Sequence, residues 1–141
     1  MWKKLIGPRL RAHLRPHVAR MQMTWNRLRT RGDAPRVIVL SLGGDSGEPA
    51  ELLARAAWRR GLEVHLFAAT FPEHEARWGH VWHRVDCLGD LDKVLALARR
   101  IDPVGVLVEN TNSLLTMQAH LAEALGLRSV GRAAAESSNH K

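Results

Sequence analysis

The sequence predicts an α/β domain over residues 36–141, with a small, mostly parallel sheet and helices on both of its faces. Three observations predict it. Val37-Ile38-Val39-Leu40-Ser41-Leu42 and Val104-Gly105-Val106-Leu107-Val108 are apolar, β-branched runs, the composition of strands buried on both faces. Such runs alternate with amphipathic stretches of about ten residues, the order of βαβ units. Glycine, proline and Asx-rich turns (Gly43 to Gly47, Gly61, Pro103, Gly126) punctuate the alternation.

Each element has its own signal. The first strand runs from Val37 to Leu42 and turns at Gly43-Gly44-Asp45-Ser46-Gly47. Pro49 opens an amphipathic helix carrying Leu52, Leu53, Ala56 and Ala57, which ends near Arg60-Gly61. Glu63-Val64-His65-Leu66-Phe67 is a second strand, and His83 to Leu88 a short third one. Asp90 is placed to cap a helix that turns Leu91, Val94, Leu95, Ala98 and Ile101 inward, until Pro103 stops it. Val104 to Val108 is the fourth strand, Asn110-Thr111-Asn112-Ser113 a loop, and Leu114 to Leu125 a helix closed by Gly126. Leu127 to Val130 is a short fifth strand, and Ala133 begins a last helical turn. The sum is a Rossmann-like or flavodoxin-like layer arrangement.

The first 35 residues are different in kind. Residues 1–36 carry ten Lys and Arg against one acid, a charge of +9, whereas residues 37–141 carry eleven against thirteen, a charge of −2. The chain is thus a near-neutral domain behind a basic leader and linker. In the leader, Leu10, Leu14, Val18, Met21, Trp25 and Leu28 recur at helical spacing with arginines between them. Pro16 suits the first position of a helix running to about Thr30, and Arg31-Gly32-Asp33-Ala34-Pro35 reads as stop and linker. Such a segment suits nucleic acid, an anionic membrane surface or a partner helix. Aromatic residues are sparse in it and no nucleic-acid motif is present, so a solvated tail or a helix docked on a partner subunit is the favoured reading.

Arginines break up any signal-peptide core after Met1, and no apolar run has the length of a membrane span, which points to the cytoplasm. Cys87 is the single cysteine, so neither an internal disulfide nor a cysteine zinc cage can form.

Ligands of parallel sheets lie beyond the carboxyl ends of the strands. The candidate substrate-binding residues there are Gly43, Gly44, Asp45 and Ser46 after the first strand, and Asn110, Thr111 and Asn112 after the fourth. The first loop offers backbone N–H groups at a helix start but lacks the spacing of a dinucleotide fingerprint and the lysine of a P-loop. Ser113 as a helix cap explains part of the second loop without any ligand. His74, His80, His83 and Cys87 form a loose cluster whose spacing matches no zinc site, and Trp78 and Trp82 are expected to pack as a pair. Cys87 is expected to be an inert buried thiol, so no catalytic residue and no metal ligand is assigned.

In order along the chain stand the strand Val37 to Leu42 with its small-residue turn, Arg77-Trp78 before Arg84-Val85-Asp86, and Asp90-Leu91-Asp92-Lys93-Val94-Leu95-Ala96-Leu97-Ala98 before Asp102-Pro103-Val104-Gly105-Val106-Leu107. After them come Ala119 to Leu127, then Val130-Gly131-Arg132-Ala133-Ala134, and Ser138-Asn139-His140-Lys141. With this ordered set, residues 36–141 resemble the N-terminal (pre-ATP-grasp) domain of ATP-grasp ligases, most closely the carboxylate–amine branch.

The resemblance implies a domain that lends loops to a carboxylate or amine substrate, beside an ATP-grasp fold that makes an acyl phosphate. It matches Lys141 to a lysine that contacts ATP in many members. The phosphate loop, metal-binding acids and catalytic arginine of the family would lie downstream. ATP and Mg are therefore expected only with that missing domain, supplied by a partner chain, and a homo-oligomer is the other assembly to expect. The chain alone, read as an N-terminal fragment or split half, would not be active. His140, where an acid is common, and the basic leader depart from the family pattern. A free-standing small-ligand binding or regulatory module is the alternative.

Overall fold

A computed structural model describes residues 7–42, 48–108 and 112–128. Four strands form one parallel sheet: β1 (Arg36–Leu40), β2 (Glu63–Ala68), β3 (Val81–Arg84) and β4 (Gly105–Val108), in the order β3-β2-β1-β4. The pairing sets Val37 beside Val64 and Gly105, and Phe67 beside His83. Four helices cover it: α1 (Pro8–Arg29), α2 (Glu48–Arg59), α3 (Leu91–Ile101) and α4 (Asn112–Leu125).

Successive strand residues point to opposite faces, and both faces are buried. Ile38, Leu40, Phe67 and Val106 meet Val94 and Ala98 of α3 and Leu114 and Leu121 of α4. Val37, Val39, Val64 and Leu66 meet Ala19 and Met23 of α1 and Ala50, Ala54 and Ala57 of α2. The predicted α/β class with helices on both faces is the observed one. The expected cap is in place, with the Asp90 carboxylate accepting from the Lys93 N–H at 3.1 Å. The far end of α3 closes on Asp102 in the left-handed region, φ 54°.

Several elements differ from expectation. The third strand lies earlier, at Val81–Arg84 rather than His83 to Leu88. Its pairing fades after Val85 N–H donates to Ala68 O, and the Asp86 carboxylate then accepts from Leu88 N–H in a turn. Trp78 and Trp82 do not pair. Trp78 meets Trp58 edge-on at 5.4 Å, and Trp82 meets Phe71 at 5.3 Å. α2 turns Ala50, Ala54 and Ala57 to the sheet, where small side chains allow close approach, and Leu52 and Ala56 are exposed. Leu91 is exposed as well. The fifth strand and last helical turn fall mostly outside the described residues.

The largest difference is in the leader. Pro8, not Pro16, occupies the helix start, and α1 runs through Pro16 unbroken. The helix lies on its own domain through Ala19, Met23 and Asn26. Asn26 Nδ2 donates to Arg77 O at 2.9 Å and to Gly79 O at 3.1 Å. The Arg20 guanidinium stacks 4.2 Å above the Phe71 ring. The helix is therefore neither a solvated tail nor docked solely on another subunit.

Candidate functional site

In the order β3-β2-β1-β4 the chain builds outward from β1 in one direction and then crosses to its other side to lay down β4. The topological switch point is therefore between β1 and β4, and the crevice beyond their carboxyl ends is where open α/β sheets bind ligands. The segment joining β1 to α2 and the segment joining β4 to α4 both leave the sheet there, from neighbouring strands paired Leu40 to Val108. These two connections carry the predicted site residues. Gly43, Gly44, Asp45, Ser46, Asn110 and Thr111 lie outside the described residues, as does Lys141. Of Asn112, only its place as the first residue of α4 is described.

What is described is the floor beneath the first loop. Ser41 follows β1, and its N–H donates to Phe67 O at 2.9 Å, holding the start of the connection against β2. Its hydroxyl donates to Glu75 Oε1 at 3.0 Å. Glu75 belongs to a short 3-10 turn, Glu75–Arg77, and is 1% exposed. Charged carboxylates are almost never buried without partners. Glu75 thus fastens the turn under α1 and α2 to the strand end where the crevice opens. Neither Ser41 nor Glu75 stands out in the sequence. The segment Pro72 to Arg77 is irregular and polar, and the contact spans 34 positions.

Cys87 is close by, with its thiol donating to Phe67 O at 3.3 Å. Burial pushes the thiol up to about 12, against a weaker pull from a Ser41 backbone hydrogen bond. His83 does not serve it as a base. His83 Nε2 instead lies 2.9 Å from His65 Nδ1, and His65 Nε2 lies 2.6 Å from Glu63 Oε1. A carboxylate only accepts, so His65 Nε2 carries the proton and His65 Nδ1 accepts from His83. Burial lowers His65 despite the Glu63 hydrogen bond, and burial with the neighbouring His65 lowers His83 to about 4. His80 Nδ1 accepts from Val64 N–H. The loose His/Cys set of the sequence is thus divided among separate partners. Among the described residues no three His, Cys, Asp or Glu side chains are grouped to hold a metal ion.

At the described carboxyl edge, the Ser41 hydroxyl is held by the Glu75 carboxylate and the Cys87 thiol by Phe67 O. A second concavity lies beneath α1, a cleft of about 310 Å³ lined by Arg20, Arg27, Phe71, His80 and Trp82 among others.

No protein-family model matches the sequence, and no curated protein shows significant similarity to it. Among solved structures, an L-amino acid ligase from Bacillus licheniformis is similar, with a TM-score of 0.53 and 18% identity over 73% of this chain. The match takes in 26% of the ligase, so this chain spans about a quarter of that protein's length. At that identity the likeness shows a shared fold. Among the described residues no helix is long and apolar enough to cross a membrane.

Proposed function

We propose that residues 36–141 are the substrate-side, N-terminal domain of an ATP-grasp ligase that joins a carboxylate to an amine through an acyl phosphate. The observation that carries this reading is the fold shared with one quarter of a solved L-amino acid ligase. The ordered motifs from Val37 to Lys141 point the same way, and the switch-point crevice between β1 and β4 supplies a place for a substrate.

In this reading Gly43, Gly44, Asp45 and Ser46, together with Asn110, Thr111 and Asn112, bind the amine or carboxylate substrate. Backbone N–H groups at the start of α2 suit a carboxylate. Ser41 and Glu75 hold the base of the first loop. In this reading ATP and Mg belong to an ATP-grasp body, as a partner chain or as a further part of the polypeptide, and Lys141 matches a lysine that contacts ATP in many members of the family.

Titrating the 15N-labelled chain with L-alanine, L-glutamate and L-arginine tests the placement. Amide shifts concentrated at Gly43 to Gly47 and Asn110 to Asn112 are expected. Shifts confined to the cleft under α1, or no response to any of the three, would contradict it.

A further inference from the structure

Helix α1 presents two faces, and the more apolar one is turned away from the protein. Its docked residues are Ala19, Met23 and Asn26. The residues two positions beyond these, Met21, Trp25 and Leu28, lie on the opposite side, since two positions advance a helix by about 200°. Leu10 and Val18 share that outer side. All five are exposed, Met21 at 72%, Trp25 at 55% and Leu28 at 75%. At the same helical pitch, Arg11 and Arg29 border the stripe, while Arg9, Arg15, Arg20 and Arg27 lie nearer the docked side. The helix carries no acidic residue.

We infer that α1 is a membrane-surface helix that seats this domain on an anionic phospholipid bilayer, with the Leu10–Leu28 stripe in the headgroup–acyl boundary and the flanking arginines on lipid phosphates. A helix with Trp, Leu and Met on one side and arginines at its borders has the composition of interfacial helices. Long arginine side chains reach from the border to the headgroup level.

Charge decides among occupants. A second copy would bring another six arginines against these six, with no acid on either helix. Nucleic acid would use the arginines and leave the apolar stripe uncovered. An anionic bilayer covers both. The helix lies on the membrane and does not cross it. The inference is independent of the ligase reading.

The test is co-sedimentation of the full 141-residue chain with vesicles of phosphatidylcholine alone and of phosphatidylcholine with phosphatidylglycerol. Binding to the anionic vesicles only, weakening as salt rises, is expected. The triple substitution Val18→Ser, Met21→Ser, Leu28→Ser keeps every charge and alters only exposed positions, so the fold should hold, as far-UV circular dichroism would verify. It should lower the partition coefficient about tenfold or more. Equal binding to neutral vesicles, or undiminished binding by the triple variant, would overturn the inference. So would vesicle binding absent at low salt while RNA binds, or while the chain dimerises through the stripe.

Discussion

The Ser41 hydroxyl donates to Glu75 Oε1 at 3.0 Å, tying the end of the central strand to a buried carboxylate on a turn packed against α1 and α2. The loop that the proposed function assigns to substrate leaves the sheet one residue after Ser41's neighbour Leu42. The strand end from which that loop departs is therefore held by a carboxylate far away in sequence.

Removing that carboxylate should be costly. Glu75→Ala leaves the Ser41 hydroxyl without this acceptor in a dry site and is expected to lower stability by about 2–3 kcal/mol. Glu75→Gln keeps an oxygen acceptor and should cost less. Urea unfolding of the three proteins checks the order, and an Ala variant as stable as the parent would show that Glu75 anchors nothing.

Acid should destabilise the fold through the paired histidines. His83 is lowered to about 4 and His65 is lowered as well, so the folded state resists protons that the unfolded chain accepts near 6.5. Their contribution is fully present above about pH 6.5 and is lost as pH falls toward 4. The partial solvent access of His83 limits its share to about 1–2 kcal/mol. Unfolding measured at pH 7.5 and pH 5 should show the loss, and His83→Gln should flatten it. An identical pH dependence in that variant would contradict the assignment.

Asn26 is the polar fastener of α1. Asn26→Ala leaves the Arg77 and Gly79 carbonyls without their donor and should cost about 1–3 kcal/mol. Faster hydrogen exchange in α1 and around Gly79 is the expected readout. Unchanged exchange there would mean that Ala19 and Met23 suffice to hold the helix.

Cys87 should be inert. A thiol held near 12 carries almost no thiolate at pH 8, so a disulfide reagent should leave it unmodified in the folded protein and modify it fully in urea. Rapid labelling of the native chain would contradict its burial.

The strands were legible because runs such as Val37 to Leu40 and Val106 to Val108 admit few alternatives to a strand buried on both faces, and the sheet order placed both glycine- and Asn-containing loops at the switch point. Helix orientation was less legible. In α2 the larger Leu52 suggested the inner face, yet close packing on the sheet selected Ala54 and Ala57. In α1 the strongest apolar signal, from Val18 to Leu28, marks the outer side, because docking there rests on the polar Asn26 and two small contacts. Ser41 and Glu75 were invisible, since a hydrogen bond between distant positions leaves no local pattern.

The most direct test of the central claim is ADP release from ATP and paired L-amino acids by an ATP-grasp body, measured with and without residues 36–141 supplied beside it or joined to it. Amino-acid-dependent ADP release that requires this domain is the predicted result. Release that is the same in its absence would contradict its role as the substrate-side half of a ligase.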